Sequence, residues 1–363
     1  MALATTDSRL NHPGSGYAIN VTEKATTLAA PTRGAAQHGA NLPAARGPFS
    51  ATVIDALRNP PHEVAAPATE PRAADPFGED VQLALQVCYE LHYHGFAGVD
   101  PEWEWNPTLL RLRAALEQLF LAAMREQVAG GVDVAGELDA LLVQPLSGRG
   151  LSYFLRDEAG WWQLREFFVH RSIYHLKEAD PHAWVIPRLS GRPKATLVAV
   201  EFDEFGGGHA ERVHARMFAD LLVAAGLSPD YLHYLDHVPA CALAPVNMMS
   251  LFGLHRRWRA ALVGHLTAAE ITTGPSAQRM DDALTQLGAA RQCRLFYTEH
   301  IEADAVHEQV MRHDVVDGLL EQDPDLADDI VFGIQATDLL EQRLAEHILG
   351  RWAAGLSSLR LPL

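Results

Sequence analysis

An all-α fold is what this sequence predicts, on three observations. From Glu79 onward, large apolar residues recur three and four positions apart, the period of a helix face. No run alternates polar with apolar β-branched residues, so sheet is not expected. Prolines stand where one helix would stop and another begin, as at Pro107, Pro181 and Pro193. With 363 residues the chain can bury a substantial core in one large domain or two modest ones.

Taken in order, residues 1–78 differ in kind from the rest. Stretches such as Ala29-Ala-Pro-Thr-Arg-Gly-Ala-Ala carry too little large apolar surface to offset the entropy of ordering, and predict a disordered tail. A short helix around residues 50–57 interrupts it. Residues 79–158 form a helical extension: Leu83, Leu85, Val87, Cys88 and Leu91 mark a helix ending near Gly95. Pro107 opens a second, with Leu109, Leu112, Leu116 and Phe120 on one face, and a third covers 134–142. Residues 159–355 are the core. Helices are expected over 160–180, through the segment that Arg192-Pro193 opens, and over 230–237, where Ser228-Pro229 gives the start signal. Others are expected over 245–254, 256–266, 275–287, 290–312, 315–322 and 326–352.

The chemistry sits on the core helices. In His300-x₃-Asp304-x₂-His307, offsets of four and seven rotate by about 40° and −20°, so all three side chains share one stripe. Two imidazoles and a carboxylate on one face make half of a metal site. A second candidate series is Glu204, Glu211 and His214, at rotations of about 0°, −20° and −80° on a continuous helix. Gly206-Gly207-Gly208 interrupts that series; three glycines cost a helix roughly 3 kcal/mol against alanines, so the helix has reason to distort beside Glu204. Glu178, near the end of the 160–180 helix, adds a carboxylate, with Tyr174 and Arg171 on its face. Carboxylates bridge metal pairs and favour higher oxidation states, and neutral imidazoles complete such sites.

A lone Glu178, then Glu211-x₂-His214, then His300-x₃-Asp304-x₂-His307 resembles the haem-oxygenase-like di-iron oxidases, or iron-containing redox enzymes, over roughly residues 80–355. Tyr89-Glu-Leu-His-Tyr-His-Gly-Phe96 is similar to the N-terminal helical extension of some members. The resemblance implies a haem-oxygenase-like bundle, these six residues as iron ligands, two non-haem Fe ions, and O₂ as co-substrate. Members that oxygenate amine nitrogen have a further carboxylate seven residues before the Glu of Glu-x₂-His, here Glu204, expected to act as both ligand and catalytic group. On that reading Glu204→Ala keeps most iron but alters N-oxygenation. A small amine or amino-acid substrate and an external electron donor follow; a homodimer is left open.

Plainer readings stand beside each of these. A charged stripe such as 299–308 is usually solvated, and Glu-x₂-His pairs arise by chance in acidic proteins; only joint occurrence on separate helices lifts them. Arg171 is a candidate to bind a substrate carboxylate alongside Tyr174, its plainer reading being a salt bridge within the bundle. His175 and His209 fit no ligand position and read as supporting, core or surface histidines. Two rival functions share the same fold: desaturation, decarboxylation or C–C cleavage of a small acid by the same cluster, and iron binding without catalysis.

Composition narrows the partners. Lys and Arg total 29 against 46 Asp and Glu, a net charge of −17, which repels nucleic acid and anionic membrane surfaces. Cys88, Cys241 and Cys293 are scattered without a CxxC pair, excluding a disulfide framework and fitting a reducing cytoplasm. The start of the chain lacks a secretory signal, and no run of about 18 apolar residues predicts a membrane span.

Overall fold

Four apolar side chains decide where the ordered fold begins. Helix α1 (Pro48–Leu57) buries Phe49, Val53, Ile54 and Leu57 and lies against α2 (Glu79–Glu90). Asp80, in the first turn of α2, accepts the backbone amides of Phe49 and Ser50 at 2.9 and 2.7 Å, capping α1 from a neighbouring helix. The disordered tail expected over 1–78 is therefore corrected in part: the short helix expected around 50–57 forms, and its four large apolar residues belong to the core. The computed structural model describes residues 39–64, 70–145 and 147–363; within the expected tail, 1–38 and 65–69 lie outside them.

Local signals place the next helices well. Asn106 accepts the amides of Thr108 and Leu109 at 3.0 and 3.1 Å, and Pro107 takes the first position of α3 (Pro107–Gln127). Asp133 caps α4 (Val134–Leu141), and α5 (Leu151–Asp157) follows the loop at 147–150. Next, α6 (Trp161–His175) ends five residues short of expectation. The chain turns through Ala179, at φ 74°, into α7 (Asp180–Ala183), so Glu178 projects from a turn rather than a helix.

The later helices carry most of the site. They are α8 (Gly191–Glu204), α9 (His214–Ala224) and α10 (Ala240–Leu254). The helix expected over 230–237 is instead a series of turns with Leu232 at φ 56°. Helix α11 (Arg259–Gln286) runs unbroken through Pro275, where two helices were expected. A proline removes one backbone bond but need not end a helix held by tertiary contacts. Helix α12 (Arg291–Val310) leads through a wide π-helical turn (Met311–Val316) into α13 (Asp317–Gln322), and α14 (Ala327–Ala353) closes the bundle. Among the described residues no strand occurs, only an isolated bridge between Ala40 and Phe96. No described helix is long and apolar enough to cross a membrane.

Helix α11 is the axis, packed along α12 on one side and α14 on another. The α11–α14 crossing is close enough that Gly264 faces the Ile330 carbonyl and Gly333 faces the Ala261 carbonyl; a Cβ at either would collide with backbone. Helix α9 packs on α12, and α10 on α2, where Asn247 donates to the Gln82 backbone and side chain at 2.8 Å each. The chain from Gln37 to Leu363 forms one unit, so the extension and the core share a single interior.

Candidate metal centre

Six side chains from five segments converge in two groups. Glu178, His214 and His300 form one; Glu204, Glu270 and His307 form the other. Within each, the ligand-capable atoms lie within 4.8 Å of one another, and all six residues are buried. Glu178 comes from the turn after α6, Glu204 from the last residue of α8, and His214 from the first of α9. Glu270 comes from α11, and His300 and His307 from α12.

The two groups touch through Glu204. One of its oxygens lies 2.8 Å from His214 Nδ1 and the other 3.8 Å from His307 Nδ1. The shorter contact lacks hydrogen-bond alignment, leaving His214 Nδ1 without a partner. Close approach without alignment is what two ligands of one ion show. Asp304 stands between His300 and His307 on the same stripe, buried, with Oδ2 unpartnered; Glu178 Oε2 is likewise orphaned. Buried polar atoms are rarely left so, and an ion would satisfy all three. On this observation, and on a donor set of carboxylates and imidazoles, the residues fit iron.

Supporting contacts fix the imidazoles. His300 Nδ1 donates to the Phe296 carbonyl at 2.7 Å, turning Nε2 toward Glu178, 3.7 Å away. His307 Nε2 pairs with Asp203 at 3.2 Å, turning Nδ1 to Glu270 at 3.2 Å. His175 Nδ1 bonds Glu178 at 2.9 Å. The rings of Phe218 and Phe296 pack around His175, His214 and His300 and keep water from that side. A cleft of about 280 Å³, lined by Asp203, Gly206, Arg212, His214 and Glu302 among others, gives access.

Charge in the metal-free site is shared by protons. Burial disfavours the charged form of His300, but Glu178, Asp304 and Glu204 outweigh it and raise its pKa to about 10. The same contest, won by Glu270, Asp203 and Glu204, raises His307 to about 9. Burial opposes ionisation of Glu178, yet His175 and His300 hold its carboxyl well below the usual range. Burial and Glu270 push Asp304 up to about 8. Divalent cations would displace these protons.

Of the residues the sequence singled out, the structure brings together Glu178, Glu204, His214, His300 and His307, with Asp304 adjoining. It does not bring in Glu211, whose side chain is 78% exposed and 3.8 Å from His209. The helix breaks at the three glycines, the run that gives it reason to distort. Gly206, Gly207 and Gly208 all take positive φ, and Glu211 rides on a short turn (Ala210–Arg212) facing solvent. Glu204 and His214, ten residues apart, meet across that turn instead. A Cβ on Gly206 would stand 2.7 Å from the Arg212 carbonyl carbon, so the turn needs glycine there.

Arg171 is also corrected. Both its terminal nitrogens donate to Glu341, at 2.8 and 2.6 Å, so its fork is filled within the bundle. Tyr174 is half-buried, its ring near His175 and His182. Sequence reasoning missed Glu270. Its signal was there: from Leu262 to Ile271 it is the one Asp, Glu, Lys or Arg in a largely apolar run.

Comparison with known proteins agrees with this geometry. A family model described as "Iron-containing redox enzyme" matches residues 165–342, which span all six converging side chains and Asp304. Nitrosourea synthase from Streptomyces achromogenes subsp. streptozoticus is 25% identical over 237 residues, covering 62% of this chain and 50% of the relative. The chain thus spans about half the length of that curated relative.

Proposed function

Since its residues 165–342 match the model of the iron-containing redox enzyme family, we propose that this chain is a non-haem di-iron oxygenase acting on the nitrogen of an amine or amino acid. The observation that carries the di-iron reading is Glu204, a buried carboxylate facing His214 with one oxygen and His307 with the other. Such a carboxylate suits a bridge between two ions. One iron would be held by Glu178, His214 and His300, the other by Glu204, Glu270 and His307, with Asp304 in reach of the pair. Iron in its ferrous form would supply the electrons that activate O₂.

The chain's own part is positioning and exclusion. Phe296 and Phe218 keep the first group dry, which strengthens every charge interaction inside. Asp203 and the Phe296 carbonyl hold the two α12 imidazoles in fixed orientation, raising their basicity toward metal. The name of the Streptomyces relative denotes synthesis of a nitrosourea, a product with oxidised nitrogen, and this favours nitrogen over carbon as the atom oxygenated. The remaining electrons would come from an external donor.

The test is turnover in ¹⁸O₂. Anaerobic protein is loaded with Fe(II), then exposed with a reductant to a panel of amines and amino acids, and products are weighed. A product carrying ¹⁸O on nitrogen is expected. Loss of CO₂ or of two hydrogens would transfer the cluster to acid decarboxylation or desaturation, and no O₂ consumption would leave an iron-binding protein.

A further inference from the structure

The described interior buries ten acidic side chains, and all but one have an evident partner or belong to the metal centre. Outside that centre, Glu90 takes Lys177 and Tyr231, Glu117 takes Tyr89 and His255, and Glu166 takes Trp352 and Ser358. Asp281 and Asp329 are bound by arginines. Glu201 is the exception. It is 2% exposed, and neither carboxylate oxygen has a hydrogen-bond partner.

Its position is specific. Glu201 lies three residues before Glu204 on α8, so the two share a helix face about 5–6 Å apart at Cβ. It belongs to neither group of ligand-capable atoms. Glu204, Glu270 and Asp180 surround it with like charge, and burial with these neighbours pushes its carboxyl up to about 9. An acid kept in such company without a partner is costly, and an apolar residue there would be cheaper. A cationic ligand with N–H donors is what the two unpartnered oxygens lack.

We propose that Glu201 is the specificity-determining anchor for the substrate's cationic nitrogen, receiving an ammonium or guanidinium group beside the Glu204–Glu270–His307 group. This deepens the reading of an amine oxygenase and rests on it for the substrate class. An arriving cation favours the ionised form, so Glu201 releases its proton to solvent on binding. The charge pair then favours the amine over its neutral isostere and holds it beside Glu204, Glu270 and His307. The chain's overall acidity draws the same class of molecule.

The test uses the full chain loaded anaerobically with Fe(II), so that binding is read without turnover. Isothermal titration compares the twenty common amino acids and the straight-chain diamines of three to six carbons with the matching diols. At least one amine should bind and its neutral counterpart should not. Glu201→Gln should keep iron content and melting temperature while weakening that amine by roughly tenfold or more. Glu201→Asp should restore part of the affinity. The proposal is overturned if no amine binds, if diols bind as well, if Glu201→Gln binds equally, or if that variant loses iron. Failure of the two readings is separable. Amines that bind through Glu201 but gain no ¹⁸O sink the oxygenase alone, whereas ¹⁸O-labelled product with unchanged KM in Glu201→Gln sinks the anchor alone.

Discussion

His170 shows how a single buried group ties stability to pH. Its ring is buried, Nε2 lies 2.9 Å from Ser358 Oγ, and burial, aided by His347, lowers its pKa to about 3. The unfolded chain binds this proton near the ordinary value of about 6.5, so the folded state loses ground as pH falls through the interval between. Wild type should therefore lose stability relative to His170→Asn by about 1.4 kcal/mol for each pH unit between 6 and 4. Urea denaturation of both proteins at matched pH checks this, and a pH-independent difference contradicts it. At the same scale, legibility in the sequence followed locality. His300, Asp304 and His307 were readable because one helix carries them all. Glu270 was not, because its partners are 37 residues away in sequence and Pro275 suggested that the helix ended nearby. Glu211 read as a ligand from the Glu-x₂-His spacing, which does not show that the turn after α8 places its side chain in solvent.

The elements that aim the site are turns held from outside. Lys177, adjacent to Glu178, is buried and pairs with Glu90 of α2 at 3.1 Å, under the ring of Tyr93 at 3.9 Å. Lys177→Met strands the Glu90 carboxylate and should cost about 3–5 kcal/mol, most of it recovered in Lys177→Met/Glu90→Gln. A single variant within 1 kcal/mol of wild type in denaturant titration would show that the pair does not fix this turn. Gly206, at φ 77°, governs the other turn. Gly206→Ala should cost about 1–3 kcal/mol and weaken iron binding by moving His214, read by thermal melting and anaerobic iron titration; retained affinity would free His214 from the turn's geometry. The starts of the strongly capped helices α3 and α4 were legible to the residue. Turns and the join across Pro275 were not, since their conformation is settled by neighbours distant in sequence, as Glu90 settles the turn at Glu178.

At the scale of the molecule, the all-α class was legible throughout from apolar spacing, while the extent of the ordered fold was not. The helix around 50–57 was legible, but its packing into the common interior through four large apolar side chains and the Asp80 cap was not. The bundle brings five segments to one point, and a metal bound to the charge gathered there would add to its stability. Ions that bind only the folded state add about 2.7 kcal/mol at a hundred times their Kd, so ferrous iron should raise the melting temperature. The most direct measurement is the number of irons bound per chain on anaerobic titration with Fe(II). Two per chain are expected, unchanged in Glu211→Ala and reduced in Glu270→Ala; Glu204→Ala, expected from the sequence to keep most iron, should also lose some, because Glu204 touches both groups. One iron or none in the wild type, or loss of iron on removing Glu211 rather than Glu270, would contradict the two-group centre bridged by Glu204.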